Sequence, residues 1–323
     1  MRAELFKRLF PHHANKSFVK GPMIAADHLA FLLNKPIGEV CRSGELLAEG
    51  LLKAQQLYQS DFIIVFFDVL VEPEALGIEL KYRKDHNPYT LSHINPGQLK
   101  NISTLKRGRI PQLFSAAKIC RKKLGADFPI FISMKDPFSL AAMTTGTEDF
   151  LSSLILDEAQ SIEVLETCVK IQLNLLTEII SQGFIPFIGS PIGSGSLISK
   201  KKFEQFVAPY LQPLFCRAVE LSSFRCLHIC GSTEHFSIAL KKLNPDLLSI
   251  EIFYPQMWQK LTSTIAMGYV STDLFYNKKA EDIRLNTLDC INSLPRPFIL
   301  SSGCDLPALA KPDLVQEMMQ CQS

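Results

Sequence analysis

The sequence predicts a parallel (β/α)8 barrel with an N-terminal helical extension and a β-hairpin-like insertion after the second strand. Three observations carry that expectation. Short apolar, β-rich runs alternate with stretches of helical periodicity, eight such runs can be counted, and each is apolar almost throughout. Strands buried on both faces of a parallel sheet read this way. The 323 residues suit one such barrel, and no linker, repeat or low-complexity stretch divides them, so residues 1–323 read as a single domain.

Ala3 to Phe10 reads as a helix capping one end of the barrel. The strands are expected at GPMIA (21–25), FIIVFFD (62–68), PIFISM (129–134), FIPFIGS (184–190), FRCLHIC (224–230), LLSIEI (247–252), IAMGYVS (265–271) and PFILSSG (297–303). After Asp68 the chain alternates through IELKY and meets the turn signal DHNP, the mark of the hairpin-like insertion. Apolar positions Val164, Leu165, Val169, Leu173, Leu176 and Ile180 keep a helical period, and Gly183 is placed to end that helix. A second helical stretch, 201–221, is interrupted at Pro209 and Pro213.

Composition excludes several classes. A formal charge of +2 gives no electrostatic case for nucleic acid, and Lys106, Arg107 and Arg109, like Lys200, Lys201 and Lys202, read as solvated faces. The longest apolar run, FIIVFFDVLV, is broken by Asp68 and falls short of the roughly 18 residues of a membrane span. The first residues lack the apolar core of a signal peptide. Nine scattered cysteines in such a chain point to reduced thiols and a cytoplasmic location.

A barrel builds its site at the C-terminal ends of its strands. Here those ends carry Asp27 and His28, Asp68, Lys135 and Asp136, Ser190, His228 and Cys230, Glu251, Ser271 and Thr272, and Cys304. His228 and Cys230 are two apart, so on a strand both face the same way. Cys304 follows the last strand, and the ends of the fifth and eighth strands open onto one mouth. One imidazole and two thiolates suit zinc, and three protein ligands leave a fourth position open. Two thiolates also neutralise the dication, so a thiolate brought by substrate would stay electron-rich. The same CLHICGS stretch also reads as an ordinary buried strand, and Cys226 and Cys290 as small core residues.

Asp68 and Glu251 are the candidate catalytic carboxylates. Asp68 would orient substrate or hydrogen-bond a zinc ligand, or else cap a helix or anchor the hairpin. Ser190, Gly193 and Gly231 are candidates for cofactor contact. GSPIGSGS lacks the spacing of a phosphate or dinucleotide loop but could let a bulky planar partner lie near the backbone. Asp27 and His28 read as loop or cap residues, His12 and His13 as solvated, and His235 as a surface residue on the following helix.

With these residues in view, the chain resembles the uroporphyrinogen decarboxylase superfamily, and within it the cobamide-dependent methyltransferases. FFDVLVEPEALG (66–77), DPFSLAAMTTGTEDF (136–150), SPIGSGSLISKKKFEQFVAPYL (190–211), HICGST (228–233) and ILSSGCDLP (299–307) carry the resemblance. It implies a TIM barrel and zinc on His228, Cys230 and Cys304. It also implies methyl transfer between a corrinoid (methylcobamide) on a partner protein, docked over the barrel mouth, and a thiol. The reverse direction, demethylating a methoxy or methylamine compound, is the alternative. Behind it come decarboxylation and non-catalytic binding. The decarboxylase pattern has arginines in its first strand and loop, whereas GPMIAADHLAFLLNK has none. The chain also departs from the methyltransferase pattern at Ser190, Tyr269, Ser271 and Glu251, changes expected to alter the substrate side of the mouth.

Overall fold

The structure, a computed structural model, describes residues 1–99, 105, 107–277 and 279–322. Eight parallel strands hydrogen-bond in the order β1 (Phe18–Lys20), β10 (Phe298–Ser302), β9 (Ile265–Val270), β8 (Leu247–Ile250), β7 (Cys226–Ile229), β6 (Ile185–Ser190), β5 (Ile130–Lys135) and β2 (Ile63–Val65). The sheet curls until its edges meet: Asp61 N donates to Lys20 O (2.9 Å), and Asp61 Oδ2 accepts from Lys20 N (2.8 Å). The expected (β/α)8 barrel is the fold observed. The insertion is a two-stranded antiparallel hairpin, β3 (Leu80–Lys81) against β4 (Tyr89–Thr90).

Most strands are shorter than expected by one or two residues at an end. The first differs more. It runs over Phe18–Lys20, and the expected 21–25 segment continues it outside the regular ladder. Pro22 has no N–H to give. Gly21 N still reaches Leu300 O (3.1 Å), and Met23 forms a single bridge with Asp305.

Alternation sorts each strand's residues between two cores. Val19, Phe62, Ile64, Phe131, Phe187, Cys226, Leu247, Ile265, Met267 and Ile299 fill the barrel interior, while the other face packs under the helices. Phe187, Cys226, Leu247 and Ile265 lie in one register row, and Gly189, His228, Ser249 and Met267 in the row two residues further on. Cys226 is therefore a core thiol, as expected, and burial pushes its pKa well up. His228 stands one layer nearer the C-terminal mouth.

The N-terminal helix, Arg2–Leu9, closes the opposite end. The Arg2 guanidinium donates to Thr264 O (2.7 Å) and Leu261 O (3.0 Å) just ahead of β9. Phe6, Leu9 and Phe10 enter the barrel core, and the Phe10 ring meets the edge of Phe62 with centroids 6.1 Å apart. The long helix Glu158–Ser181 is capped by Asp157 and followed by Gly183 at φ +79°. The 201–221 stretch breaks at Val207, before Pro209, but Pro213 sits inside the second helix, Ala208–Glu220.

Phe6→Ala should empty the bottom of the barrel. Unfolding in urea is expected to show a loss of about 3–5 kcal/mol, typical of a fully buried phenylalanine.

Candidate metal centre

Three strand ends supply the cluster. His228 is the third residue of β7 and is buried. Its Nδ1 lies 3.0 Å from Ser249 Oγ on neighbouring β8, and Ser249 Oγ in turn donates to Met23 Sδ at 3.7 Å. With its one proton committed to sulfur, the hydroxyl accepts from Nδ1–H. Nε2 is thereby turned toward the thiols, where loss of its proton would leave a lone pair for a metal. Cys230 Sγ is 3.3 Å and Cys304 Sγ 3.6 Å from Nε2.

Two glycines make this convergence possible. Gly231 turns the chain after Cys230 at φ +65°, a conformation that residues with a Cβ rarely adopt. Gly303 lies where a Cβ would come within 3.0 Å of Glu251 Cα, so the end of β10 can pass close against residue 251. Cys304 and Glu251 thereby meet. One donor atom from each of His228, Cys230, Glu251 and Cys304 lies within 4.8 Å of the others.

The cluster is electrostatically uneven. The Cys230 thiol is drawn down to about 5, by the hydrogen bond it receives from Cys304 and, against its burial, by the charge on His228. Burial opposes a charge on His228, yet Cys230, Glu251 and Asp305 together outweigh it and the net direction is up. Cys304 is pushed up by its contact with Cys230, by burial and by Asp305, whose Oδ1 is 3.1 Å from Sγ. A cation entering here meets one thiolate ready-made and displaces protons from the rest.

The cluster opens into a cleft of about 570 Å³, walled by apolar residues including Met23, Ile24, Ile64, Phe66 and Phe187. His228 stacks on Phe187 with ring centroids 6.4 Å apart.

Other expected site residues stand elsewhere. Asp68 is buried, but Arg109 Nη1 and Nη2 occupy its two oxygens, and Oδ1 also caps Leu70 N. The hydrogen-bond partner of His228 Nδ1 is Ser249, while Asp68 is tied through Arg109 to Glu74, which fits the hairpin-anchoring alternative. Arg109 is thus buried rather than part of a solvated face, while Arg107 is exposed and Lys106 lies outside the described residues. Ser190 Oγ is buried beneath Gly193, where a Cβ would meet it at 2.4 Å. At Gly231 a Cβ would strike Ser196 Oγ at 2.4 Å. A contact with Ser190, at the end of β6, therefore accounts for Gly193, and packing between two loops accounts for Gly231.

Tyr269 turns away from the mouth, its hydroxyl on Asp289 (2.7 Å) and its ring stacked on Phe253. Ser271 N is held by Asn286 Oδ1. Neither lines the cleft. His28 is buried in the helix Ala26–Leu33 between Tyr58 Oη and Ala308 O, and burial draws its pKa down to about 4. His13 pairs with Asp61 at 2.9 Å, whereas His12 and His235 are exposed. Sequence reasoning missed Ser249 and Asp305. The alternation Leu247, Ser249, Glu251 places the serine on the ligand-bearing face and was the available signal.

The uroporphyrinogen decarboxylase family profile matches residues 24–322. The chain belongs to that family. Within reach of it, a methylcobamide:CoM methyltransferase of Methanosarcina mazei is 24% identical over 265 residues, 79% of this chain and 77% of that protein. A methylated-thiol–coenzyme M methyltransferase of the same organism is 26% identical over 245 residues, 74% of this chain and 65% of that protein. A uroporphyrinogen decarboxylase of Thermodesulfovibrio yellowstonii is 25% identical over 219 residues, 66% of this chain and 63% of that protein. Among solved structures, a methyltransferase from Methanosarcina mazei superposes with a TM-score of 0.86 at 22% identity, covering 97% of this chain and 95% of that one. That likeness establishes the shared barrel. Among the described residues, no helix is long and apolar enough to cross a membrane.

The donor set fits the metal this family's methyltransferase branch implies. Zinc–nitrogen bonds of about 2.0 Å and zinc–sulfur bonds of about 2.3 Å, at tetrahedral angles, put nitrogen and sulfur about 3.5 Å apart. The two distances from Nε2 to sulfur, 3.3 and 3.6 Å, bracket that value.

Two outcomes follow from the geometry. Ser249→Ala should weaken zinc binding about 10- to 100-fold, because the imidazole loses the partner that orients it; competition against a chromophoric chelator reads this directly. Arg109→Met should destabilise the fold by about 3–5 kcal/mol by stranding a buried Asp68, with zinc content unchanged by elemental mass spectrometry.

Proposed function

We propose that this chain is a zinc-dependent methyltransferase that moves a methyl group from a methylcobamide carried by a partner protein to a small thiol. The observation that carries the reading is the meeting of Cys230 and Cys304, from distant strand ends, at Nε2 of one oriented histidine beside an open cleft. Three nitrogen and sulfur donors at a barrel mouth leave room for substrate, whereas a closed structural site would use four. The names of the methyltransferase relatives support the same reaction class.

Zinc bound there would supply the Lewis acidity that lets a thiol react as thiolate near neutral pH. The chain's own residues do the rest. Cys230 and Cys304 provide two negative charges, matching the dication. Ser249 fixes the His228 ring, and Met23 fixes Ser249. Glu251, within the cluster, is placed to accept the thiol's proton on its carboxylate. The apolar walls exclude water and position the thiol sulfur toward the mouth, where the corrinoid partner presents its methyl group. The sulfur lone pair forms the new C–S bond, and both electrons of the Co–C bond stay on cobalt, giving Co(I). The same residues serve the reverse transfer from a methylated sulfur compound. Decarboxylation of a polycarboxylate tetrapyrrole is the weaker reading, because no arginine lines this cleft among the described residues.

Cys304→Ser is the direct test. The wild type should hold about one zinc per chain and transfer methyl from methylcobalamin to an added thiol; the variant should lose most of both. Transfer at wild-type rate without zinc would refute the mechanism.

A further inference from the structure

Among the described residues one lysine lines the cleft beside the cluster, and its charge is already engaged. Lys135 ends β5, and Glu72, on the turn of helix Val71–Leu76, grips it twice. Glu72 Oε1 accepts from Lys135 N (2.7 Å), and Oε2 from Lys135 Nζ (2.6 Å). Both side chains are buried, 5% and 3% exposed, so solvent does little to loosen the pair. The stem of Lys135 lines the cleft while its ammonium is turned onto the carboxylate. Among the described residues lining the cleft there is no arginine and no other lysine. The remaining formal charges lean acidic: Asp305 lines the cleft, and Glu251 stands in the cluster.

An anionic tail on the substrate would therefore find no free cation, and would lie in apolar surroundings near two carboxylates. Burying such a charge unpaired is costly. A cationic tail would leave water for walls of Met23, Ile24, Ile64, Phe66 and Phe187, and the acid in that lining, Asp305, already accepts from Cys304 Sγ at 3.1 Å. We propose that the thiol accepted by this cleft is small, uncharged and apolar, and that the Glu72–Lys135 pair enforces the choice by withholding the one cation an anionic thiol could use. This rests on the thiol reading of the site.

The test compares three thiols of similar length: propane-1-thiol, 2-mercaptoethanesulfonate (coenzyme M) and cysteamine. Each is titrated into Co(II)-loaded full-length protein, and binding is read from the thiolate-to-metal absorption band without turnover. Propane-1-thiol should bind at least about ten-fold more tightly than either charged thiol, a difference of about 1.4 kcal/mol. In Glu72→Gln, which frees the Lys135 ammonium, 2-mercaptoethanesulfonate should gain about ten-fold. A charged thiol matching or exceeding propane-1-thiol in the wild type would overturn the inference and leave the thiol reading standing. Failure of all three to perturb the band would overturn the thiol reading, and the inference with it. The wild-type comparison decides the matter even where the variant does not fold.

Discussion

Everything at the mouth depends on the curvature of one sheet. β7 and β10 are separated by two strands in the ladder order. In a flat sheet, three strand spacings would hold their backbones about 14 Å apart. Curling turns the inward-facing positions of both strands toward a common axis, and Cys304 Sγ comes within 3.6 Å of His228 Nε2. The curl is itself held by the edge contact between Lys20 and Asp61 and by the aromatic plug of Phe6, Phe10 and Phe62 beneath. Folding energy and ligand placement are therefore one problem: the layer that packs as core at Cys226 becomes a donor layer two residues later.

The mouth then handles charge economically. Three buried groups that would trouble an apolar interior are each committed locally: Arg109 to Asp68 and Glu74, Lys135 to Glu72, and the Nδ1–H of His228 to Ser249. Buried pairs of this kind add little net stability but punish the loss of either partner. They fix which polar atoms remain free, and those are Nε2, two sulfurs and the Glu251 carboxylate. A cation held by Nε2 and the two sulfurs would leave the Glu251 carboxylate beside its open position.

Much of this was legible in the sequence, for identifiable reasons. Period-two patterning placed the strands, and the i, i+2 rule put His228 and Cys230 on one face. Where the structure differs from that reading, the deciding contact is one that the apolar pattern of a single strand does not show. Asp68 looked like a site carboxylate until Arg109, forty-odd residues on, took both oxygens. Gly193 and Gly231 looked like room for a ligand, but Ser190 at the end of β6 packs against the first and Ser196 of a neighbouring loop against the second. The first strand shifted because Pro22 cannot donate to a ladder, a local effect that apolar run-length conceals. Side-chain pairings across a barrel are set by register, and one strand does not reveal its neighbour's register.

The departures from the methyltransferase pattern can now be weighed by position. Ser190 is buried under the following loop, and Tyr269 and Ser271 are engaged by the helix Ala280–Ser293. These changes act on the scaffold around the strands, so they cannot select substrate by contact. Glu251 is different, because it stands among the donors. A glutamate reaches one methylene further than an aspartate at the same strand end, so its carboxylate can approach the sulfurs without drawing β8 inward. On the proposed reading, chemistry at the cluster and selection in the cleft would fall to separate residues: Glu251 with His228, Cys230 and Cys304 for the first, the apolar wall and the Glu72–Lys135 pair for the second. A family barrel can keep its reaction while changing its substrate when those two sets do not overlap.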